Sequence, residues 1–205
     1  MQRESSPDGV RSSSFVSGTT TTNPPASGQG SLIVYTIVAL GLALFIRFFI
    51  AAPYIVSGAS MEPTFDNYHY LIIDRVSYSF GEPSRGDVIV FDLPQNTSRA
   101  LIKRIIGLPG ETVILEHSTI TIVNDEYPEG FMLDEPYLDP EHVGGVSDLR
   151  ATLSADQYFV LGDNREVSAD SRLWGPLPRE DIVGRVLLRL YPFSDINLFP
   201  GKYTY

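Results

Sequence analysis

A long, predominantly apolar segment, residues 31–50, constrains this chain more than any other feature of its sequence. Its one charged residue is Arg47, near the C-terminal end, where a long side chain can reach lipid headgroups. A helix needs about 20 mostly apolar residues to cross a bilayer. The segment therefore predicts a transmembrane helix over residues 31–52. A cleavable signal peptide and a buried core helix are the alternatives, but a signal peptide would have a shorter apolar run behind a basic region.

The residues before this segment have the composition of a disordered tail. Residues 1–30 are dominated by Ser, Thr, Gly, Pro and Asn. Such a stretch cannot bury enough apolar surface to offset the entropy lost on ordering. We therefore divide the chain into a tail over residues 1–30, a transmembrane helix over residues 31–52 and a folded domain over residues 53–205.

Beyond Pro53 the sequence predicts β-structure. Short runs rich in Val, Ile, Leu, Tyr and Phe are separated by clusters of Gly, Pro, Asn and Asp, and none has a sustained helical period. The prediction is a mostly β domain with antiparallel sheets. Its expected strands cover residues 70–76, 87–93, 100–106, 112–123, 158–161 and 182–190. Residues 124–156 are acidic and weakly patterned, which indicates a smaller inserted region between core parts 53–123 and 157–205.

Composition excludes several kinds of chemistry. A formal net charge of -10 argues against a nucleic-acid partner, and the absence of cysteine rules out thiolate catalysis and thiolate metal sites. His69, His117 and His142 lack the spacing of a metal motif, so we expect no metal and no cofactor. Each histidine is predicted to be a surface or turn residue. A Ser-His-Asp triad stays open, because such triads form in space rather than in sequence.

Three polar segments are candidates for catalytic chemistry. Residues 57–65 place Ser60 among small residues, although this could equally be an ordinary Gly/Ser loop. Residues 100–111 place Lys103 on an apolar strand face, where an amine either reaches water at an edge or is desolvated and made neutral. Residues 161–175 read, taken alone, as a surface loop joined by Asp–Arg pairs. No one segment identifies a reaction.

Together and in this order, the three segments resemble type I signal peptidases. That family has a Ser-Met-x-Pro-Thr box, a strand ending Lys-Arg-x-x-Gly-x-Pro-Gly and a Gly-Asp-Asn-Arg-x-x-Ser-x-Asp-Ser-Arg loop. Here these are residues 60–64, 103–110 and 162–172. The resemblance implies that the β domain has the signal-peptidase fold. It also implies that the protein is a membrane-bound serine endopeptidase. Such an enzyme removes N-terminal signal peptides from exported preproteins, cleaving after small residues at -1 and -3.

The resemblance also implies a role for each matching residue. Ser60 is the expected nucleophile, Lys103 the general base, and Ser168 the hydroxyl that orients the lysine amine. The expected supports of these groups are Asp163, Asp170, Arg172 and Arg104. The expected walls of the substrate pockets are Val56, Met61, Phe65, Leu101 and Ile102.

The oxyanion site departs from part of the family. Some members carry a hydroxyl residue as an oxyanion donor at the position occupied here by Gly58. We therefore expect backbone N–H groups around Gly58 and Ser60, that of Ser60 among them, to hold the oxyanion. The alternative role of Gly58 is a tight backbone bend.

The cellular setting is likewise implied by the resemblance. It indicates a single-pass protein of the plasma membrane with its catalytic domain on the extracytoplasmic side. Its expected partners are preprotein signal peptides, the lipid bilayer and the protein export machinery.

Two other protein classes are alternatives to a signal peptidase. Self-cleaving repressor peptidases share a Ser/Lys dyad on a related β fold, but they carry an N-terminal DNA-binding domain where this chain has its apolar segment. An inactive, membrane-tethered adaptor would be indicated by loss of Ser60 or Lys103, and both are present.

Overall fold

The computed structural model describes residue 18 and residues 28–94, 96–142, 144 and 148–205, without the side chains of residues 28–30, 48, 49, 96–98 and 142. Most of the expected tail, residues 1–17 and 19–27, lies outside the described residues. The chain divides into two compact units between Leu40 and Gly41.

The apolar segment is helical. Helix α1 spans Gly28–Phe45 and is followed by one π-helical turn, Ile46–Ile50. Leu and Ala dominate the C-terminal half of α1 and are strong helix formers. The apolar side chains are exposed, at 65% for Leu32 and 64% for Ile37. Within the described residues, no helix combines the length and the apolarity that a membrane crossing requires.

The remainder of the chain is mostly β, as predicted. The strands in chain order are β1 (Ala51–Ile55), β2 (Tyr70–Asp74), β3 (Val88–Leu93), β4 (Asn96–Gly107), β5 (Thr112–Glu116), β6 (Thr119–Val123), β7 (Phe131–Met132), β8 (Leu149–Thr152), β9 (Gln157–Leu161), β10 (Leu177–Pro178), β11 (Ile182–Tyr191) and β12 (Asn197–Leu198). All their pairings are antiparallel. Two short helices, α2 (Ser77–Phe80) and α3 (Ser171–Trp174), interrupt them.

The larger sheet has the strand order β1-β2-β11-β3-β4-β9-β10, with β12 on β11. Its first strand begins at Ala51, two residues before the predicted start of the domain. The strand can include Pro53 because β1 is an edge strand, where a missing N–H leaves no ladder bond unmade. The neighbours β11, β3 and β4 form the middle of this sheet, and β4 carries Lys103.

The smaller sheet has the order β7-β6-β5-β8 and differs from its predicted extent. The expected strand over residues 112–123 is a hairpin, β5–β6, whose turn residues His117 and Ser118 have φ values of 48° and 68°. Paired positive φ values match the twist of two-residue hairpins, which the sequence conceals because the turn contains no glycine. The inserted region also supplies β7 and β8. The smaller sheet therefore spans residues 112–152, across the predicted boundary at residue 124.

The apolar residues of the larger sheet pack beneath the segment that carries Ser60. Strand β2 alternates, so that Leu71 and Ile73 face inward and are fully buried. They share a core cluster with Val56, Met61 and Phe65, which come from the chain between β1 and β2. This packing holds the connection from β1 to β2 against the sheet.

Candidate active site

Ser60 and Lys103 meet at the surface of the larger sheet. Lys103 lies in the middle of β4, opposite Ile89 of β3, and its side chain is almost fully buried. Its Nζ lies 2.7 Å from Ser60 Oγ and donates a second hydrogen bond, of 2.8 Å, to the carbonyl oxygen of Ile102. An amine at this distance can receive the serine proton once it is neutral.

The surroundings of Lys103 favour the neutral amine. Burial lowers the pKa of Lys103 from 10.5 to about 8, because desolvation disfavours the charged form. Asp170 and Asp163 act in the opposite direction and raise this pKa, while Arg172 lowers it. Burial outweighs the two carboxylates, so a large fraction of the amine is neutral at mildly alkaline pH.

One predicted support, Asp163, forms a buried ion pair with Arg104. The guanidinium donates from Nε to Oδ1 at 2.8 Å and from Nη2 to Oδ2 at 2.6 Å, and both side chains are excluded from solvent. The Thr64 hydroxyl also donates to Asp163 Oδ2, which ties the segment after Ser60 to this pair. Arg104 follows Lys103 directly, so the two-point contact fixes the backbone beside the amine.

A second pair, Asp170 and Arg172, closes the polar loop over residues 162–172. Arg172 donates to both carboxylate oxygens of Asp170, at 2.8 and 2.9 Å, and to the carbonyl oxygen of Arg165 at 2.8 Å. Asp170 also accepts from the Gly162 N–H at 3.1 Å and caps helix α3. One Asp–Arg pair, Asp170–Arg172, therefore joins the loop to itself, whereas Asp163 pairs with Arg104 of β4. Both pairs are buried, so the loop is not the surface loop that its composition alone predicts.

This loop contacts Ser60 through its backbone. The Asn164 N–H donates to the carbonyl oxygen of Ser60 at 3.1 Å. A Cβ added to Gly162 would lie 2.4 Å from the same oxygen and 2.2 Å from Ser168 Oγ, so no other residue fits there without displacing Ser60. Sequence reasoning gives Asn164 no role of its own, although its place in the Gly-Asp-Asn-Arg motif is a usable signal.

Ser168 lies beside this contact without bonding to Lys103. Its side chain is buried against Gly162, and its Oγ has no hydrogen-bond partner among the described residues. The hydroxyl predicted to orient the amine therefore does not do so in this conformation, where the Ile102 carbonyl accepts from the amine instead. The sequence places Ser168 in the correct loop but cannot specify the rotation of its side chain.

The backbone N–H of Ser60 is available as a hydrogen-bond donor, whereas that of Gly58 is not. Gly58 has a φ of 104°, a left-handed bend that glycine adopts without strain, and its N–H donates to Asn67 Oδ1 at 3.1 Å. Gly58 is therefore the bend, and its own N–H is engaged. Within the described part of the chain, the N–H of Ser60 has no hydrogen-bond partner.

A cleft opens beside the Ser60–Lys103 pair. The predicted wall residues Val56, Leu101 and Ile102 line it. Tyr54 of β1 and Leu71 of β2 line it as well. The sequence does not indicate them, because neither belongs to a segment that carries a recognisable motif.

Met61 and Phe65 do not line this cleft. Both are excluded from solvent, at 1% and 0% exposure, and they belong to the core cluster beneath the site. In this structure Met61 and Phe65 are core residues, and their role as pocket walls stays a prediction. Apolar residues in a short loop can face either the core or the cleft, and the residue type does not distinguish the two.

The histidines stand apart from this arrangement. His69 is buried in the turn before β2, where its Nδ1 accepts from the Asp66 N–H at 3.2 Å. His117 occupies the β5–β6 turn. Neither lines the cleft, and the side chain of His142 lies outside the described residues.

Comparisons with known proteins test the family resemblance of this chain. Residues 29–191 match the family model of signal peptidase, peptidase S26. The "Probable signal peptidase I-1" of Synechocystis sp. is 40% identical over 77% of this chain and 80% of its own length. Signal peptidase I of Leptolyngbya laminosa is 39% identical over 76% of each chain, and signal peptidase IB of Staphylococcus aureus is 33% identical over 80% of this chain and 93% of its own.

The family match includes every segment that builds the site, from the turn that carries Ser60 to the loop over residues 162–172. The predicted resemblance is thereby confirmed. This chain belongs to the signal peptidase family, peptidase S26.

Proposed function

We propose that this protein is a serine endopeptidase that removes N-terminal signal peptides from exported preproteins, with Ser60 as nucleophile and Lys103 as general base. The observation that carries this proposal is the buried lysine amine 2.7 Å from Ser60 Oγ. A lysine held in water would be charged at neutral pH and would be a poor base, whereas burial lowers the pKa of this one.

The geometry supports a two-step acyl transfer. Neutral Lys103 takes the proton of Ser60 as Oγ attacks the scissile carbonyl carbon, and the free N–H of Ser60 stabilises the developing oxyanion. The lysine then gives its proton to the departing amine of the mature protein, which leaves an ester on Ser60. Water then attacks this ester. Lys103 accepts a proton from the water and returns it to Ser60 Oγ as the signal peptide leaves as a carboxylate.

The pH dependence of cleavage tests this assignment. The rate should rise with pH and level off above an apparent pKa of about 8, because only the neutral amine of Lys103 can act as the base. Single-turnover cleavage of a purified preprotein, with products identified by mass, measures the profile. The Ser60→Ala protein gives the background. A rate that is flat from about pH 6 to about pH 10 would exclude Lys103 as the titrating base.

The cleft predicts preproteins with small residues at -1. Its apolar walls, among them Val56, Leu71 and Ile102, offer no partner to a charged side chain, and burying an unpaired charge is costly. In a preprotein with Ala at -1, Ala→Ser should be cut at a similar rate and Ala→Lys at least about 100-fold more slowly. Product masses locate each cut. Efficient cleavage after lysine would contradict this use of the cleft.

We also propose that residues 31–50 anchor the protein in the plasma membrane as a single span, with the catalytic domain on the extracytoplasmic side. Ala51 and Ala52, the last two residues of the segment predicted from sequence, belong instead to β1. Support comes from the exposed apolar side chains of α1 and from the π-helical turn that carries the helical backbone on to Ile50. On this proposal the bilayer and the export machinery are partners, because both present the preprotein's signal segment.

Removal of the anchor tests this part of the proposal. A chain that begins at Ala51, where β1 starts, keeps the complete larger sheet and should fold. It should no longer float with lipid vesicles, whereas the full chain should. Circular dichroism of the shortened chain provides the folding control. Equal flotation of the two folded proteins would show that residues 31–50 are not the anchor.

A further inference from the structure

One segment next to the smaller sheet contacts the loop over residues 162–172. After β7 the chain runs through residues 134–137, where Glu135 and Tyr137 are directed towards two buried arginines rather than into their own sheet. Those arginines are Arg165, within the loop over residues 162–172, and Arg104, next to Lys103. Sequence patterns assigned no role to this segment.

Glu135 balances the charge of Arg165. The two side chains form an ion pair and expose only 8% and 1% of their surfaces. Arg165 also donates from Nε to the carbonyl oxygen of Gly162 at 3.0 Å. The guanidinium that pairs with Glu135 is therefore also bonded to the first residue of the loop. A buried guanidinium without its carboxylate is strongly unfavourable, so Glu135 constrains where Arg165 can lie.

Tyr137 holds Arg104 in a similar way. Its ring centroid lies 3.8 Å from Arg104 Cζ, a stacked cation–π contact on the face of the guanidinium. Its hydroxyl donates to Glu135 Oε1 at 2.7 Å, which joins the two contacts into one unit. The edge of the same guanidinium binds Asp163 at two points.

The two arginines bind the part of the loop that contacts Ser60: Arg165 bonds to Gly162 and Arg104 bonds to Asp163. Gly162, held by Arg165, packs against the Ser60 carbonyl oxygen, and Asn164 donates to it. Asp163, held by Arg104, lies between them and also raises the pKa of Lys103. Displacement of either arginine would therefore shift the backbone of Ser60 relative to Lys103.

We propose that Glu135 and Tyr137 are positioning residues, which hold the Ser60–Lys103 pair in register through Arg165 and Arg104. This inference rests on the proposed function, because it takes that pair as the reacting groups. Neither residue lines the substrate cleft. Their loss should therefore act on kcat and leave KM nearly unchanged.

The test compares variants in preprotein cleavage. Glu135→Gln keeps the size of the side chain and removes its charge, and Tyr137→Leu removes the ring. Each should lower kcat by about 10- to 100-fold with KM within about twofold, since small misplacements of reacting groups are costly. Tyr137→Phe keeps the ring over Arg104 and should lose much less. Glu141→Gln removes an exposed carboxylate from the same region and should match the wild type.

A second readout separates positioning from a merely structural role. If Glu135 acts through Arg165, the double variant Glu135→Gln/Arg165→Gln should be no slower than Arg165→Gln alone, because both changes break one link. Independent structural effects would instead multiply. Circular dichroism and Tm establish folding, and if Glu135→Gln fails to fold, the Tyr137 pair decides the outcome, since neither of its variants removes a charge.

The outcomes distinguish this inference from the proposed function. If Ser60→Ala and Lys103→Met cleave as well as the wild type, the assignment of the reacting pair is wrong. If these two are inactive while folded Glu135→Gln and Tyr137→Leu keep kcat within about twofold, the positioning role alone is overturned. A raised KM at unchanged kcat, or multiplicative effects in the double variant, would overturn it as well.

Discussion

Replacing Lys103 by arginine is expected to lower kcat by about 10³-fold, close to the level of Ser60→Ala, in a protein that still folds. Arginine keeps the positive charge and can still donate to the Ile102 carbonyl oxygen. It does not lose its proton in the accessible pH range, so it cannot take the proton of Ser60. Single-turnover cleavage of a preprotein measures the loss, and raising the pH should not restore activity.

Lys103→Met is the matched variant for this experiment. Methionine keeps most of the apolar bulk in a site that is almost closed to solvent and removes the amine. It should be as inactive as the arginine variant. Because methionine introduces no guanidinium, its inactivity would show that loss of the base, rather than disruption by a buried guanidinium, abolishes cleavage. Circular dichroism confirms folding of each variant. Near-normal cleavage by folded Lys103→Arg would remove Lys103 as the base and return attention to the histidines.

Asp163→Asn is expected to lower the free energy of unfolding by about 3–5 kcal/mol, the largest stability effect that the site predicts. The change leaves the fully buried Arg104 guanidinium without the carboxylate that accepts two of its hydrogen bonds. It also weakens the contact from the Thr64 hydroxyl. Urea denaturation followed by circular dichroism measures the difference between this variant and the wild type.

Glu82→Gln serves as the matched control for that measurement. In the wild type Glu82 forms an ion pair with Arg179. The Glu82 side chain is 73% exposed and that of Arg179 is 34% exposed. Ion pairs in water contribute little, so this variant should unfold at the same urea concentration as the wild type. Equal unfolding curves for Asp163→Asn and Glu82→Gln would show that the buried pair does not stabilise the fold.

The buried pairs Arg104–Asp163 and Arg172–Asp170 also affect the pKa of Lys103. Asp163 and Asp170 both raise the pKa of Lys103, which works against a neutral base. Arg172 lowers that pKa while it pairs with Asp170, so the loop offsets part of the effect of its own carboxylates. The loop therefore gains rigidity from charged groups, and burial still keeps the pKa of the amine near 8.

The longer strands of the larger sheet, other than β1, and the segments that carry the site could be predicted from sequence, because both depend on local composition. The short strands β1, β10 and β12 were not predicted. Short runs rich in Val, Ile, Leu and Tyr identify β2 and β11 without any knowledge of their partners. The ends of strands were less well predicted. β4 begins at Asn96 rather than at Ala100, since the end of a strand depends on the strand with which it pairs.

By itself, the sequence determined the mostly β class of this protein, its family and the pairing of Ser60 with Lys103 as candidates. The tertiary structure alone decided that Met61 and Phe65 lie in the core, that Ser168 makes no bond to the amine, and that Glu135 reaches Arg165. The reason is physical. Ser60 and Lys103 are 43 residues apart, and Thr64 and Asp163 are 99 apart. A distance between two such atoms results from the packing of all the strands between them, which no local pattern encodes.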